Sequence, residues 1–543
     1  MSIFKTGVIL CGCRGVVSEA INLKQVANLL KKLDGVEVEV VDDLCSDQKY
    51  ITIKEMASRV DALVIAGCTD ELCVKRFRDI IGETELLCFA CDFVNLKQEC
   101  SKVFPRTEAE KSALAAIQVC LEKLRAGHDL AKKAVPVKKG REMFASGESL
   151  TRRQFFRLPM KLVRYEEIPV FSIENCIAYH STCQVCIENC PAGALVKDDS
   201  GKIHLKGEIC QKCGLCSVVC PSDCFEMPTF SNSQAAAMLS VLTCTEQQLV
   251  NHKLIFTCDQ GRKQIDNLIE SGVKMPEFFI IRVPCLASIS PLVLLWVMKI
   301  GYHESVLFCP ESGCGKQTAL KKWEQVFQSI ERLSGCFDIS FDWELIKNMT
   351  HVTISTAAVE ALQKASPACS PRDNCVSISY SSIARDEFLS LLESMVEKVE
   401  NCQPINNLIL PFYNLDIDTE KCSMCGVCTR NCPLNAIVMT EDEESVLQFS
   451  HYKCLGCGTC AAKCPEKAID LNRSLDLSKL LDRSFQVKYR NEVARCEICN
   501  RPIGKKATLQ KVEHIMKAKG LDSAVAKLYR CETCKVLDGF EGI

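Results

Sequence analysis

One arrangement of cysteines recurs along this chain and limits what it can fold into. Cys210, Cys213, Cys216 and Cys220 precede Pro221; Cys422, Cys425, Cys428 and Cys432 precede Pro433; Cys454, Cys457, Cys460 and Cys464 precede Pro465. A further stretch, Cys176, Cys183, Cys186, Cys190 and Pro191, differs in its longer first gap. Three thiolates at three-residue intervals wrap one face of a 4Fe–4S cubane on a tight loop, while the fourth ligates the neighbouring cluster. The proline after it is expected to start a helix pointing away. This crossing pairs Cys176, Cys183 and Cys186 with Cys220, and Cys210, Cys213 and Cys216 with Cys190. It likewise pairs Cys422, Cys425 and Cys428 with Cys464, and Cys454, Cys457 and Cys460 with Cys432. Zinc sites ask for two Cys-x2-Cys pairs, whereas each run here has four cysteines and a proline.

The chain holds 39 cysteines in 543 residues. A protein of this size needs no disulfides to stand up, so in a reducing compartment that much thiol points to metal sites and redox chemistry. Hydrophobic residues make up 47% and charged residues 25%, ordinary for globular domains. A net charge of −2 gives no electrostatic footprint for nucleic acid or an anionic membrane surface. The most apolar stretch, Leu292 to Met298, falls well short of the roughly 20 residues a membrane span requires. Met1 to Leu10 lacks the layout of a signal peptide. The expectation is a cytoplasmic protein, or a peripheral part of a membrane-associated complex.

A second pattern is an internal duplication. Apolar strands lead to Cys11 and Cys13, to Cys45, and to Cys68 and Cys73; others lead to Cys258, to Cys285, and to Cys309 and Cys314. The last three cysteines are 23 and 5 residues apart in the first copy, and 24 and 5 in the second. Three short strands alternating with helical stretches read as a small open parallel α/β sheet. Residues at the C-terminal ends of such strands converge in one crevice. Both sets are therefore candidate cluster ligands, with buried core cysteines as the plain alternative. At the end of the chain, Cys496, Cys499, Cys531 and Cys534 form two Cys-x2-Cys pairs separated by 31 residues. They read as a zinc site around a small domain, an iron–sulfur cluster being the competitor.

The paired cysteine runs resemble two-cluster bacterial ferredoxins. Cys11-Gly-Cys13, Cys45-Ser-Asp, Val64-Ile-Ala-Gly-Cys68-Thr and Asn95-Leu-Lys-Gln-Glu-Cys100-Ser resemble the N-terminal domain of the heterodisulfide reductase A-subunit. Cys258, Arg282-Val-Pro-Cys285, Phe308-Cys309 and Cys314-Gly resemble the delta subunit of methyl-viologen-reducing hydrogenase. That second resemblance implies a 2Fe–2S cluster on Cys258, Cys285, Cys309 and Cys314, passing electrons between partner enzymes. One departure matters: no G-x-G-x-x-G follows a strand anywhere, so neither FAD nor NAD is expected. The adjacent cysteine pair of a catalytic disulfide-reducing subunit is also missing.

Some motifs are set aside. Gly313-Cys314-Gly315-Lys316 lacks the first glycine and the Ser/Thr of a phosphate loop, having Pro310 and Gln317 instead. Arg152-Arg153 is a mid-chain pair with no apolar segment behind it. The basic excess from Lys132 to Arg164 reads as a linker, or as a docking strip for an acidic electron carrier. Cys88, Cys91, Cys120, Cys224, Cys336, Cys369 and Cys375 have no interpretable spacing, though Cys91 or Cys100 offers an alternative N-terminal ligand.

The expected architecture is α/β plus α+β. It comprises an α/β domain at 1–128, a basic linker at 129–165, a dicluster ferredoxin at 166–230, a second α/β domain at 235–400, a second dicluster ferredoxin at 405–472 and a zinc-ribbon-like domain at 475–543. The expected function is relay of single electrons within an anaerobic oxidoreductase complex, with no catalytic residue of its own. Expected partners are hydrogenase, heterodisulfide-reductase-like or formate dehydrogenase-type subunits, or free ferredoxin. The alternatives are a reductase of a small disulfide acting at the N-terminal cluster, and a scaffold stapled by clusters.

Overall fold

The computed structural model describes residues 4–46, 50–68, 71–87, 89–134, 167–244, 253–302, 304–310, 314–335, 342–347, 378, 380, 384–395, 403–406, 412–441 and 444–540. Cys88, Cys336, Cys369 and Cys375, the Arg152-Arg153 pair, and the linker from 135 to 165 lie outside them. The chain divides into two units: residues 1–174, 189–196 and 205–395 form the first, and 175–188, 197–204 and 396–543 the second.

The first unit contains two parallel sheets of the same design. β1 (Thr6–Cys11), β2 (Val36–Val41), β3 (Ala62–Gly67) and β4 (Cys91–Asn95) lie in the order β2-β1-β3-β4. β5 (Lys253–Thr257), β6 (Phe278–Arg282), β7 (Glu304–Cys309) and β8 (Asp342–Lys347) repeat it as β6-β5-β7-β8. Every residue of β1, β3 and β5 is buried, as expected of central parallel strands covered on both faces. The run Leu23, Val26, Ala27 and Leu30 supplies the inward stripe of helix Leu23–Leu30. In each sheet the strand order reverses between the first and third strands in sequence. That reversal opens a crevice at the carboxyl edge, and the cysteines sit there.

The sequence pattern does not mark the fourth strand of each sheet. Cys91-Asp-Phe-Val-Asn and Asp342-Trp-Glu-Leu-Ile-Lys are short, with polar residues breaking the apolar run, so tertiary pairing with β3 and β7 decides their conformation. The segment 129–133, assigned to the linker, closes the helix Arg106–Lys133 instead. Its lysines Lys132 and Lys133 lie in the last turn, where positive charge suits the helix dipole.

A buried ion pair joins this helix to the sheet. Lys123 Nζ lies 2.7 Å from Asp92 Oδ2, with side chains only 9% and 12% exposed. Burial pushes the Asp92 carboxyl up, but Lys123 and Arg282 outweigh it and hold it at about 2.

The second unit is built on antiparallel strands. β9 (Tyr413–Ile417) pairs with β12 (Ile469–Leu475), and β10 (Ile437–Glu441) forms a hairpin with β11 (Glu444–Phe449). The long β13 (Gln486–Arg495) pairs with β11 on one side and with β14 (Pro502–Lys505) on the other. The segment read as a separate zinc-type domain thus continues the sheet of the preceding ferredoxin hairpin. Tyr413, Leu415, Ile437, Leu447 and Phe449 form the core, with Cys454 and Cys460 buried against it. Among the described residues no helix is long and apolar enough to cross a membrane.

Lys123→Met should cost about 3–5 kcal/mol, because it leaves the Asp92 carboxylate buried and unpaired. Anaerobic urea unfolding of the first unit reads this, and Asp92→Asn combined with Lys123→Met should recover part of the loss. The native Asp92 pKa is depressed, so the pair's contribution is present above pH 4 and fades as pH falls toward 2.

Candidate iron–sulfur and zinc sites

One turn recurs at the end of all the cysteine runs. Gly193, Asp223, Asn435 and Lys467, each three residues after the fourth cysteine, have φ of 61°, 51°, 51° and 49°. That left-handed residue turns the next amide onto the sulfur. Ala194 N–H donates to Cys190 Sγ at 3.3 Å, Cys224 N–H to Cys220 Sγ at 3.3 Å, Ala436 N–H to Cys432 Sγ at 3.2 Å and Ala468 N–H to Cys464 Sγ at 3.4 Å. The helix expected after the fourth cysteine is instead in front of it, at Val185–Asn189, Leu215–Val219, Val427–Arg430 and Thr459–Ala462. Proline is needed at the turn, where it fixes φ and has no N–H of its own to satisfy.

The front of the loop also repeats in three runs. Lys212, Met424 and Gly456, the second residue between the first two cysteines, have φ of 57°, 57° and 66°. Gly214, Gly426 and Gly458 follow at 76°, 71° and 75°. Lys212 N–H reaches Cys210 Sγ and Gly456 N–H reaches Cys454 Sγ, both at 3.4 Å. At Gly456 a Cβ would stand 1.9 Å from the Tyr413 ring, so only glycine fits. The run beginning at Cys176 has a different front, a 3-10 turn at Ile177–His180 between its first two cysteines.

These loops gather their thiols. Cys422, Cys425, Cys428 and Cys464 line one cavity with Met439, Leu447 and Ile469. Burial pushes Cys428 up to about 11, and the neighbouring Cys422 and Cys425 add to it. Cys460 is pushed up to about 12 by burial and by Cys454, Cys457 and Cys432. In the first unit, burial raises Cys210 and Cys213, and Cys190 acts on both. Thiols crowded together away from water resist ionising, and iron is the kind of cation that relieves the crowding. Cys176, Cys183 and Cys186 belong to the second unit and Cys220 to the first.

At the carboxyl edge of the first sheet, five thiols converge. Cys45, Cys68 and Cys73 have Sγ atoms within 4.8 Å of one another, with 3.3 Å between Cys45 and Cys73. Cys13 Sγ lies 3.7 Å from Cys11 Sγ and accepts from Cys68 N–H at 3.1 Å. Hydrogen bonds from Cys13 bring the Cys11 thiol down to about 7 and the Cys68 thiol to about 6, while Cys13 itself is raised. Cys91 starts β4 at the opposite edge of the sheet, and Cys100 is buried against Ser112 Oγ at 3.7 Å. Neither joins the five.

The second sheet places Cys258 directly after β5, Cys285 just past β6 and Cys309 at the end of β7. Thr257 Oγ1 donates to Phe308 O at 2.9 Å and ties β5 to β7 beside them. Burial pushes Cys285 up to about 12, with Cys258 adding to the effect and Lys316 opposing it.

At the C-terminus the Sγ atoms of Cys496, Cys499, Cys531 and Cys534 all lie within 4.8 Å of one another. A tetrahedral zinc with Zn–S bonds of about 2.3 Å would space them by about 3.8 Å, so this donor set fits one metal ion. Cys499 and Cys531 are already 3.5 Å apart, and Cys531 N–H donates to Cys496 Sγ at 3.3 Å. Amides of Cys499 and Cys531 bring the Cys496 thiol down to about 6. The same segment reaches back to the cubane loop: Lys505 Nζ donates to Met424 O at 2.8 Å and Thr508 Oγ1 to Ser423 O at 2.5 Å.

Residues 414–474 match the family model of the 4Fe-4S dicluster domain. The chain is 30% identical over 140 residues to the iron-sulfur A-subunit of the CoB--CoM heterodisulfide reductase of Methanocaldococcus jannaschii, covering 25% of this chain and 21% of that protein. It is 32% identical over 123 residues to the A-subunit of the ferredoxin:CoB-CoM heterodisulfide reductase of Methanosarcina acetivorans, covering 22% and 15%. The A-subunit of the H(2)/formate:CoB-CoM heterodisulfide,ferredoxin reductase of Methanococcus maripaludis is 26% identical over 152 residues, covering 27% and 23%. The chain thus matches about a fifth of the length of these relatives. Iron–sulfur ligation by this chain rests on the dicluster match together with the gathered thiols.

Replacing Cys496 by serine should abolish binding of one zinc per chain and weaken iron retention only at the adjacent Cys422 loop, which Lys505 and Thr508 contact. Metal analysis of anaerobically prepared variant and parent checks this, and unchanged zinc would refute the site.

Proposed function

We propose that this chain is a multi-cluster iron–sulfur electron-transfer subunit of an anaerobic oxidoreductase complex of the heterodisulfide reductase and hydrogenase type. The observation that carries the reading is the Cys-Pro turn, which aims an amide N–H at the fourth cysteine sulfur in every run. Iron–sulfur clusters, when bound, supply reversible one-electron chemistry over roughly −700 to +450 mV. The chain's part is to hold and tune them. Amide donors at sulfur stabilise the more negative, reduced form, while the apolar walls at Leu447 and Ile469 exclude water.

In this reading four 4Fe–4S sites use the crossed sets: Cys176, Cys183 and Cys186 with Cys220; Cys210, Cys213 and Cys216 with Cys190; Cys422, Cys425 and Cys428 with Cys464; and Cys454, Cys457 and Cys460 with Cys432. The hydrogenase-delta-like set, Cys258, Cys285, Cys309 and Cys314, takes a 2Fe–2S cluster. The N-terminal cysteines take a further cluster with four of their five thiols, and Cys496, Cys499, Cys531 and Cys534 take zinc. Domain limits follow segments at 1–133, 134–165, 166–230 and 235–400, with 405–472 and 475–543 joined through one sheet. Partner subunits of heterodisulfide reductase, hydrogenase or formate dehydrogenase type would supply and remove the electrons.

Anaerobic protein should contain about 16 iron atoms from the four cubanes plus those of the two α/β sites. Iron analysis with EPR-monitored redox titration tests this. Fewer than about 12 iron atoms, or centres that cannot be reduced and reoxidised reversibly, would refute the relay reading. Turnover of a small disulfide by the isolated chain would favour the reductase alternative.

A further inference from the structure

Within the first unit, one lysine spans two of the cysteine loops. Lys316 Nζ donates to Lys212 O at 3.2 Å and to Pro284 O at 3.4 Å. Lys212 stands between Cys210 and Cys213, and Pro284 immediately precedes Cys285. The loops themselves touch: a Cβ on Gly214, whose φ is 76°, would stand 2.5 Å from Ser288 Cβ. Ser288 Oγ in turn donates to Cys285 O at 2.7 Å. Cys213 and Cys285 are both buried, at 8% and 4% exposure.

We propose that Lys316 is an electrostatic bridge, a single ammonium that stabilises the reduced state of both the Cys210/Cys213/Cys216/Cys190 centre and the Cys258/Cys285/Cys309/Cys314 centre, and so makes them adjacent steps of one relay. This rests on the cluster reading above. Reduction adds one electron, and one negative charge, to whichever centre accepts it. A cation held on two carbonyl oxygens, half-buried and shared by both loops, offsets that charge at either end and needs no reorganisation when the electron moves between them. The position is built into the fold: Lys316 lies two residues beyond Cys314 and caps the helix Gln317–Ser334.

Lys505 shows what sets Lys316 apart. It makes the same contact with the equivalent loop residue, donating to Met424 O at 2.8 Å, but it pairs at 2.7 Å with the Glu441 carboxylate. Its charge is offset by the protein, whereas the Lys316 contacts are to neutral carbonyls.

The test uses the full chain, titrated with dithionite under anaerobiosis and followed by EPR, as parent, Lys316→Met, Lys316→Arg and Lys212→Gln. In Lys316→Met both centres should become harder to reduce, the ratio of reduced to oxidised form at fixed potential falling about tenfold, or about 59 mV for a one-electron couple. Lys316→Arg, which keeps the charge, should restore both. Lys212→Gln should move the cubane centre alone, since the Lys212 ammonium acts on Cys210. A Lys316→Met protein with neither potential moved, or only one, overturns the proposal. So does a parent protein that, with both centres reduced, gives two magnetically uncoupled signals, a readout that needs no variant to fold. If the parent lacks these centres altogether, it is the cluster reading that fails, which iron content distinguishes.

Discussion

A sulfur atom that must carry negative charge inside a protein needs donors aimed at it, and the Cys-Pro turn provides one each time. A left-handed residue three positions after the cysteine brings the following amide within 3.2–3.4 Å of Sγ. The residue in that role differs, being Gly193, Asp223, Asn435 or Lys467, and three of these adopt a backbone that side chains disfavour. Such strain persists where the surroundings demand it. The strands that follow, the short helices that precede and the buried thiols all take their places around this turn.

Much of this is legible without coordinates. Ligand spacing is a local property, so the runs at Cys210, Cys422 and Cys454 can be read directly, and the match of residues 414–474 to a 4Fe-4S dicluster domain covers the last two. The duplicated spacing of Cys45, Cys68 and Cys73 against Cys285, Cys309 and Cys314 points to two related sheets, which share one strand order. What the residues leave unread depends on tertiary context. β4 and β8 become strands because β3 and β7 offer an edge to pair with. The helix falls on the other side of the fourth cysteine from the one expected because proline at a helix start and proline at a turn look alike in sequence. Separation of the C-terminal segment is suggested by its own metal motif, and nothing in that motif announces that Gln486–Arg495 will pair with Glu444–Phe449.

Lysines placed on loop carbonyls form a second layer of control. Lys316 and Lys505 contact equivalent residues, Lys212 and Met424, yet differ in whether a carboxylate accompanies them. Neither is singled out by its sequence context. Lys316 stands out there only within a failed phosphate-loop match, and its meaning depends on the approach of Gly214 to Ser288.

The strand Gln486–Arg495 ends where the Cys496 knuckle begins, and the residues just beyond that knuckle, Lys505 and Thr508, hold the carbonyls of Met424 and Ser423. With the zinc and cubane sites proposed above, two inorganic sites of different kinds would share a single piece of backbone. Filling one rigidifies the support of the other, so their affinities are thermodynamically linked. Maturation of this end of the protein is then cooperative: a chelator directed at the knuckle would also loosen the grip on iron next door.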